Sequence, residues 1–376
     1  MILLKPTYLA LDTSHLTQWQ RDKSSTDAVA RRHSEEFSSW LEDSGTIPMV
    51  TLHHLEELCA IDDEVLVRSR LRFLHALPLV AWIATSSVQG DIGGITSILG
   101  AEALSAYHNP GDDLATLRSR VTSSIIRVGT GEDMLGSDPD VWLALRKLFL
   151  ARSHKARSHV AITHSTAVDL RSKPMSELLG GRIRSKVSMS RQLDVIRGSL
   201  AMDIRKYGDG RISDPNDIAG GFMEKVADEI EHLPLKAADL VWQSLAYFEI
   251  EPSDVDVTAT LGEVLDHGQF LKQMKICTEG MGIPFPELKR SVKMDRLPSW
   301  IISSNLRKHA ATLNERKGSE LNDGYLACLA PYADVTMVDK RTFESFRQAK
   351  RANPRMAAIC NRIERAPTYR VIPKLI

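Results

Sequence analysis

Strand–helix alternation occurs at both ends of this chain and is missing from the long stretch between them, and that division limits the available folds more than any other feature. Residues 8–11 are a short apolar run ending in Asp12, which predicts a buried strand. Ser24 and Ser25 precede a stretch to Leu41 with Val29, Phe37, Trp40 and Leu41 on one side, an amphipathic helix closed by Asp43, Ser44 and Gly45. Residues 47–50 predict a second strand, and Thr51 the cap of a helix over LHHLEELCA. A further helix over 62–75 and a third strand over 77–85 follow. The same texture returns late, with a helix over 320–330, a strand over 333–338, a helix over 342–352 and a final strand over 369–372. Such alternation builds a parallel sheet flanked by helices, an α/β fold.

Between about 86 and 299 the period is mostly helical, as in 140–150 and 237–247, with breaks at Asn109-Pro110-Gly111, Gly180-Gly181 and Asp214-Pro215. The expected organisation is therefore a discontinuous α/β core, 1–85 and 300–376, carrying a large, mainly α-helical insertion over 86–299. The 376 residues suit this, since roughly two domains of about 150 residues fit the length.

Forty-eight basic and 48 acidic residues leave no net charge, so any attraction for a polyanion must come from local segregation. Cys59, Cys277, Cys328 and Cys360 lack a CxxC pair or zinc spacing and read as free thiols of a reducing cytosol. No run reaches the ~18 apolar residues of a membrane span, and the opening MILLKPTYLALD lacks a signal-peptide cleavage pattern. A cytoplasmic protein without a membrane partner is expected.

Carboxylates at the ends of parallel strands, and on the helices after them, face the sheet edge where α/β proteins bind ligands. Asp12 ends the first strand, Glu57 lies on the helix after the second, Asp323 lies early in the helix before the late strand, and Asp339 ends that strand. Carboxylates crowded together raise one another's pKa, and a hard divalent ion relieves the repulsion. Each residue also has a plainer role: Asp12 as a helix cap, Glu57 on a solvated face, Asp323 as a first-turn acid, Asp339 in a strand-end turn.

At these positions the chain resembles the PIN-domain family of ribonucleases. TYLALDTSHL is similar to the family's first strand, with Asp12 at its first acidic position. VTLHHLEEL resembles its second motif, in which Ser or Thr is followed six residues later by Glu; from Thr51 the count reaches Glu57. GSELNDGYLACLAPYADVTMVDKRTF resembles the third and fourth motifs, with Asp323 and Asp339 as their carboxylates. Met337 stands where the family often has Thr or Ser, with Thr336 one place earlier. The family's simple members are single short units, whereas here residues 58–322 intervene between Glu57 and Asp323.

The resemblance implies a nuclease, foremost a ribonuclease, in which Asp12, Glu57, Asp323 and Asp339 hold Mg²⁺ or Mn²⁺ and Glu320 orients water or a neighbouring group. The alternatives are a non-catalytic PIN-like nucleic-acid-binding or interaction protein, and a structure-specific DNA nuclease. Aspartyl-phosphate chemistry wants Asp-x-Asp, and Ser14 stands two residues beyond Asp12. Residues 146–211 hold fifteen Lys or Arg against five Asp or Glu, including Arg146, Lys147, Arg152, Lys155, Arg157, Arg182, Arg184, Lys186 and Arg191. This segment is expected to contact nucleic-acid phosphates, RNA above all, or else to pair with the acidic runs 224–231 and 254–256. His154, His159 and His164 recur every five residues, which does not put them on one helical face. No Walker A loop, GxSxG elbow or GxGxxG fingerprint is present.

Overall fold

The computed structural model describes residues 6–85, 91–163, 165, 170–180, 186–231, 237–279, 281–310 and 320–376. They fall into two units, one of Met1–Ser153, Gly280–Ala310 and Leu321–Ile376, the other of His154–Glu279 and Ala311–Glu320.

The first unit is α/β. Its strands are β1 (Thr7–Ala10), β2 (Thr46–Val50), β3 (Val80–Ile83), β4 (Ile126–Gly129), β5 (Val335–Met337) and β6 (Arg362–Glu364), in the sheet order β4-β3-β2-β1-β5-β6. All neighbours are parallel except β4, which runs antiparallel to β3. Strand order reverses at β1, where Ala10 stands opposite Met49 of β2 on one side and Thr336 of β5 on the other. Every residue of β2 and β3 is buried, as in a sheet covered on both faces. Alternate residues share one face of a strand, and Leu9, Leu11, Val80, Trp82, Ala84, Val335 and Met337 all enter the same apolar cluster.

Helices α1 (Thr13–Lys23) and α2 (Ala28–Asp43) join β1 to β2, and α3 (Leu52–Cys59) and α4 (Glu64–His75) join β2 to β3. Trp19 of α1 meets Phe37 of α2 and Phe73 of α4 edge-on, each at 5.0 Å. Such pairs contribute about 0.5–1.5 kcal/mol beyond their area. Gly45 has φ +64°, the left-handed turn that lets α2 reverse into β2. Helices α5 (Ile95–His108) and α6 (Leu114–Ile125) precede β4, α7 (Gly131–Leu135) follows it, and α8 (Arg146–Thr163) leads out of the unit.

The second unit is helical among the described residues, with α9 (Met175–Leu179), α10 (Lys186–Tyr207), α11 (Pro215–Glu231), α12 (Ala237–Ala246) and α13 (Leu261–Thr278). Ala161 of α8, Leu200, Ala201 and Ile204 of α10 and Ala219 of α11 form a small apolar core. The chain then returns to the sheet unit as α14 (Phe285–Ser291), α15 (Pro298–Ala310), α16 (Glu320–Ala327), α17 (Lys340–Ala352) and α18 (Pro354–Ile359).

Three differences from the sequence reading have physical causes. Helix α1 was hidden because its buried residues include His15, Gln20 and Asp22, which blunt its apolar stripe. The final strand is Arg362–Glu364, not 369–372; Tyr369–Lys374 is a 3₁₀ helix that buries Tyr369 and Ile372, three apart, where a strand would alternate. The Tyr369 hydroxyl and Arg370 both donate to Asp22, fastening this tail to α1. Finally, the sheet unit extends beyond the expected 1–85 and 300–376. Antiparallel β4, unheralded in the sequence, recruits 95–153 to it, and α14 brings in the residues before 300. No helix among the described residues is long and apolar enough to cross a membrane.

Candidate functional site

The strand order reverses at β1, and the edge beyond the carboxyl ends of β1 and β5 is the usual ligand position in open α/β sheets. Asp12 follows β1 by two residues and Asp339 follows β5 by two, so their backbones share this edge. Each is also a helix N-cap: Asp12 Oδ1 accepts from Ser14 N at 2.7 Å, and Asp339 Oδ1 from Thr342 N at 2.7 Å.

Glu57 reaches the same edge from α3. Burial raises its pKa; Thr13 and Asn322 pull it down, the Asp12 charge pushes it up, His53 lowers it, and the net shift is upward. Asn322 Nδ2 donates to Glu57 Oε1 at 3.3 Å. The Thr13 hydroxyl lies beside Glu57 but out of hydrogen-bonding geometry, and its Oγ1 is buried with no partner among the described residues. Asp12, Thr13, Glu57 and Asn322 thus converge from β1–α1, α3 and α16.

Two histidines seat α3. His54 is fully buried; its Nδ1 accepts from Thr51 N at 3.0 Å, so the proton lies on Nε2, which donates to Leu11 O at 2.7 Å. Burial above all drives the imidazole down to about 4, keeping it neutral. One ring therefore ties the residue before Asp12 to the start of the helix that carries Glu57. His53 accepts from Ile95 N at Nε2 (3.1 Å), which leaves Nδ1–H for Glu56 Oε2 (2.9 Å). A Cβ on Gly94 would lie 2.8 Å from that Nε2, so glycine is required for the loop to approach the ring. Arg152 Nη1 reaches Glu56 Oε1 at 2.6 Å. Burial alone would raise Glu56, but His53 and Arg152 outweigh it and hold its pKa below the ordinary value. Glu56 is thereby committed to α3's own packing, leaving Glu57 for the edge.

Of the predicted residues, Asp12 and Glu57 are brought together and Asp339 shares their edge. Asp323 lies on α16 one residue past Asn322, and it is Asn322 that meets Glu57. Glu320 opens α16 but groups with the second unit. Among the described residues, no three His, Cys, Asp or Glu side chains form a group able to hold a metal ion. The caps explain this in part, since Asp12 and Asp339 each turn an oxygen back to their own helices. Met337, at the position where Thr or Ser was looked for, is core; Thr336 Oγ1 is buried without a partner among the described residues. Sequence reasoning missed Asn322, Thr13 and His54. Only His54 left a trace, standing three residues after a capping Thr, the spacing of a capping box.

Part of the basic segment is paired where it is described. Arg146 donates to Ile61 O and Asp62 O, and Arg152 binds Glu56. In the second unit Arg171 pairs with Asp266, Lys173 with Glu177, Arg197 with Asp194 and Arg211 with Asp209. These partners are not the acidic runs 224–231 and 254–256 considered from the sequence. Lys147, Lys155, Arg191 and Arg205 remain exposed. Arg182, Arg184 and His164 lie outside the described residues, as does the side chain of Lys186.

All four cysteines are free thiols, with Cys59 and Cys328 buried as expected. Set against protein-family models, curated proteins and solved structures, the chain matches none.

Proposed function

We propose that this protein is a metal-dependent nuclease that hydrolyses phosphodiester bonds, with RNA as the favoured substrate, and that its site is the edge carrying Asp12 and Glu57. The reading rests on one observation: two carboxylates lie near each other at the point of strand-order reversal, and the buried one is held above its ordinary pKa, by burial above all and also by the other's charge. A carboxyl group perturbed by burial and by a neighbouring charge is a candidate functional group. Mg²⁺ or Mn²⁺ needs only one or two protein carboxylates, the remaining positions going to water and substrate phosphate. Asp12 and Glu57 fit that requirement, and the buried Thr13 hydroxyl beside Glu57 is a further oxygen for a ligand or its water.

In this reading Asp12 and Glu57 hold the ion, with Asp339 on the same edge and Asp323 on α16 as flanking carboxylates. The ion, when bound, supplies an activated water at neutral pH and neutralises phosphoryl charge. Asn322 orients Glu57 through its amide. His54 keeps the end of β1 against α3, which sets the approach of Asp12 to Glu57. Lys147, exposed at the start of α8, is a cation for strand phosphates.

Cleavage of labelled RNA, with a branched-DNA arm, tests the proposal. Activity should vanish in EDTA, return with Mg²⁺ or Mn²⁺, and fall roughly a hundredfold or more in Asp12→Asn and Glu57→Gln. Full activity in both variants sinks it. A second reading, a non-catalytic nucleic-acid-binding protein, is favoured by the capping roles of Asp12 and Asp339 and by the missing three-residue ligand group among the described residues. RNA retention without cleavage under either ion selects it.

A further inference from the structure

Glu102 is a carboxylate in the middle of the apolar helix α5, with no exposed surface. Buried carboxylates persist only when donors surround them. Here Ser299 N donates to both oxygens, at 2.9 and 3.2 Å, the Ser299 hydroxyl donates at 2.7 Å, and the Tyr332 hydroxyl donates as well. Ser299 is the second residue of α15, so the carboxylate also satisfies a backbone N–H that the helix leaves open. Cys328 adds a direct tie, with its Sγ 3.5 Å from Ser299 O.

The two donor residues bracket one stretch of chain. Ser299 begins α15, the chain leaves the sheet unit after Ala310 and returns at Leu321, and Tyr332 follows α16 by five residues. Within the bracket lie Asn322, whose amide holds Glu57, and Tyr325, whose ring lies 4.6 Å from that of His53. A helix that re-enters a unit from elsewhere needs fixing at both flanks to hold a side chain in hydrogen-bond register, and Glu102 touches both flanks at once.

We infer that Glu102 is a positioning residue: by clamping Ser299 and Tyr332 to one carboxylate, it holds α16 so that Asn322 stays on Glu57. The inference rests on the reading of Asp12 and Glu57 as the functional edge, but not on the chemistry proposed there. Among the described residues of the sheet unit, no other buried carboxylate in an apolar helix has three donors from two such distant places.

The test reads backbone amide exchange at 321–325 and the side-chain amide resonances of Asn322 by NMR, and needs neither metal nor substrate. Glu102→Leu should speed those backbone amides about tenfold and shift the Asn322 side-chain resonances as they part from Glu57. Tyr332→Phe and Ser299→Ala should do the same to a smaller degree, and they serve if the leucine variant does not fold. Glu102→Gln should restore the wild-type values, because its carbonyl still accepts from Ser299 N and the two hydroxyls can rotate. Unchanged exchange and resonances in folded Glu102→Leu or Tyr332→Phe overturn the clamp, as does a glutamine variant that behaves like leucine. Glu57→Ala is the control. If it leaves the Asn322 side-chain resonances in place, the Asn322–Glu57 contact fails and the inference falls with it, whatever the RNA assay gives.

Discussion

His54 and Glu102 are both fully buried ionisable groups in the sheet unit, and they solve opposite problems. The histidine corner joins neighbours at the sheet edge: Thr51 caps α3, Leu11 follows β1, and a neutral ring accepts from the first and donates to the second. The glutamate corner joins pieces nearly two hundred residues apart in sequence and is met only by donors. Burial is the largest influence on each, yet it drives His54 down to about 4 and Glu102 up to about 7. The same loss of water favours the neutral form of both, so a base and an acid move in opposite directions.

The largest expected effect is Glu102→Leu. It leaves three donors unsatisfied at about 1–3 kcal/mol each, offset in part by no longer burying a carboxyl, for a net loss of about 4 kcal/mol in urea unfolding. A loss below about 1 kcal/mol would make the corner incidental.

Next comes pH. Below its ordinary 6.5, His54 is protonated only in the unfolded chain, so stability is lost as pH falls from 6.5 to 4. Glu102, ordinarily 4.5, holds a proton in the fold that the unfolded chain releases, so stability is lost as pH rises from 4.5 to 7. The two slopes oppose each other between 4.5 and 6.5. Glu102→Gln should remove one of them and gain on the order of 3 kcal/mol relative to wild type on going from pH 4.5 to 7. A parallel pH dependence for variant and wild type breaks the comparison.

Tyr332→Phe removes a single donor and should cost about 1–1.5 kcal/mol, leaving the His54 corner intact by amide exchange at Leu52–Leu55. Smallest is Arg152→Ala. Its exposed pairing with Glu56 is worth no more than about 1 kcal/mol, and the variant should change salt dependence more than unfolding midpoint.

The alternation of strands and helices at the two chain ends was legible because burial on both faces writes apolar runs such as 47–50 directly into the sequence. Asp12 and Asp339 were legible as residues after strands, and Glu57 by its distance from Thr51. The contact of Asn322, one residue before Asp323, with Glu57 was not legible, because a helix turns by about 100° per residue and only packing sets its rotation. Helix α1 escaped because its buried face carries His15, Gln20 and Asp22, and His15 and Asp22 have partners hundreds of residues away.

Local preference, then, is enough to write down an α/β core split by helices, with acids at the ends of its strands, since periodicity and capping act between near neighbours. Which oxygens meet was decided by the tertiary structure alone. Asn322 on Glu57, and Ser299 and Tyr332 on Glu102, are pairings across the chain whose strength comes from removing water around them. No window of sequence contains both partners.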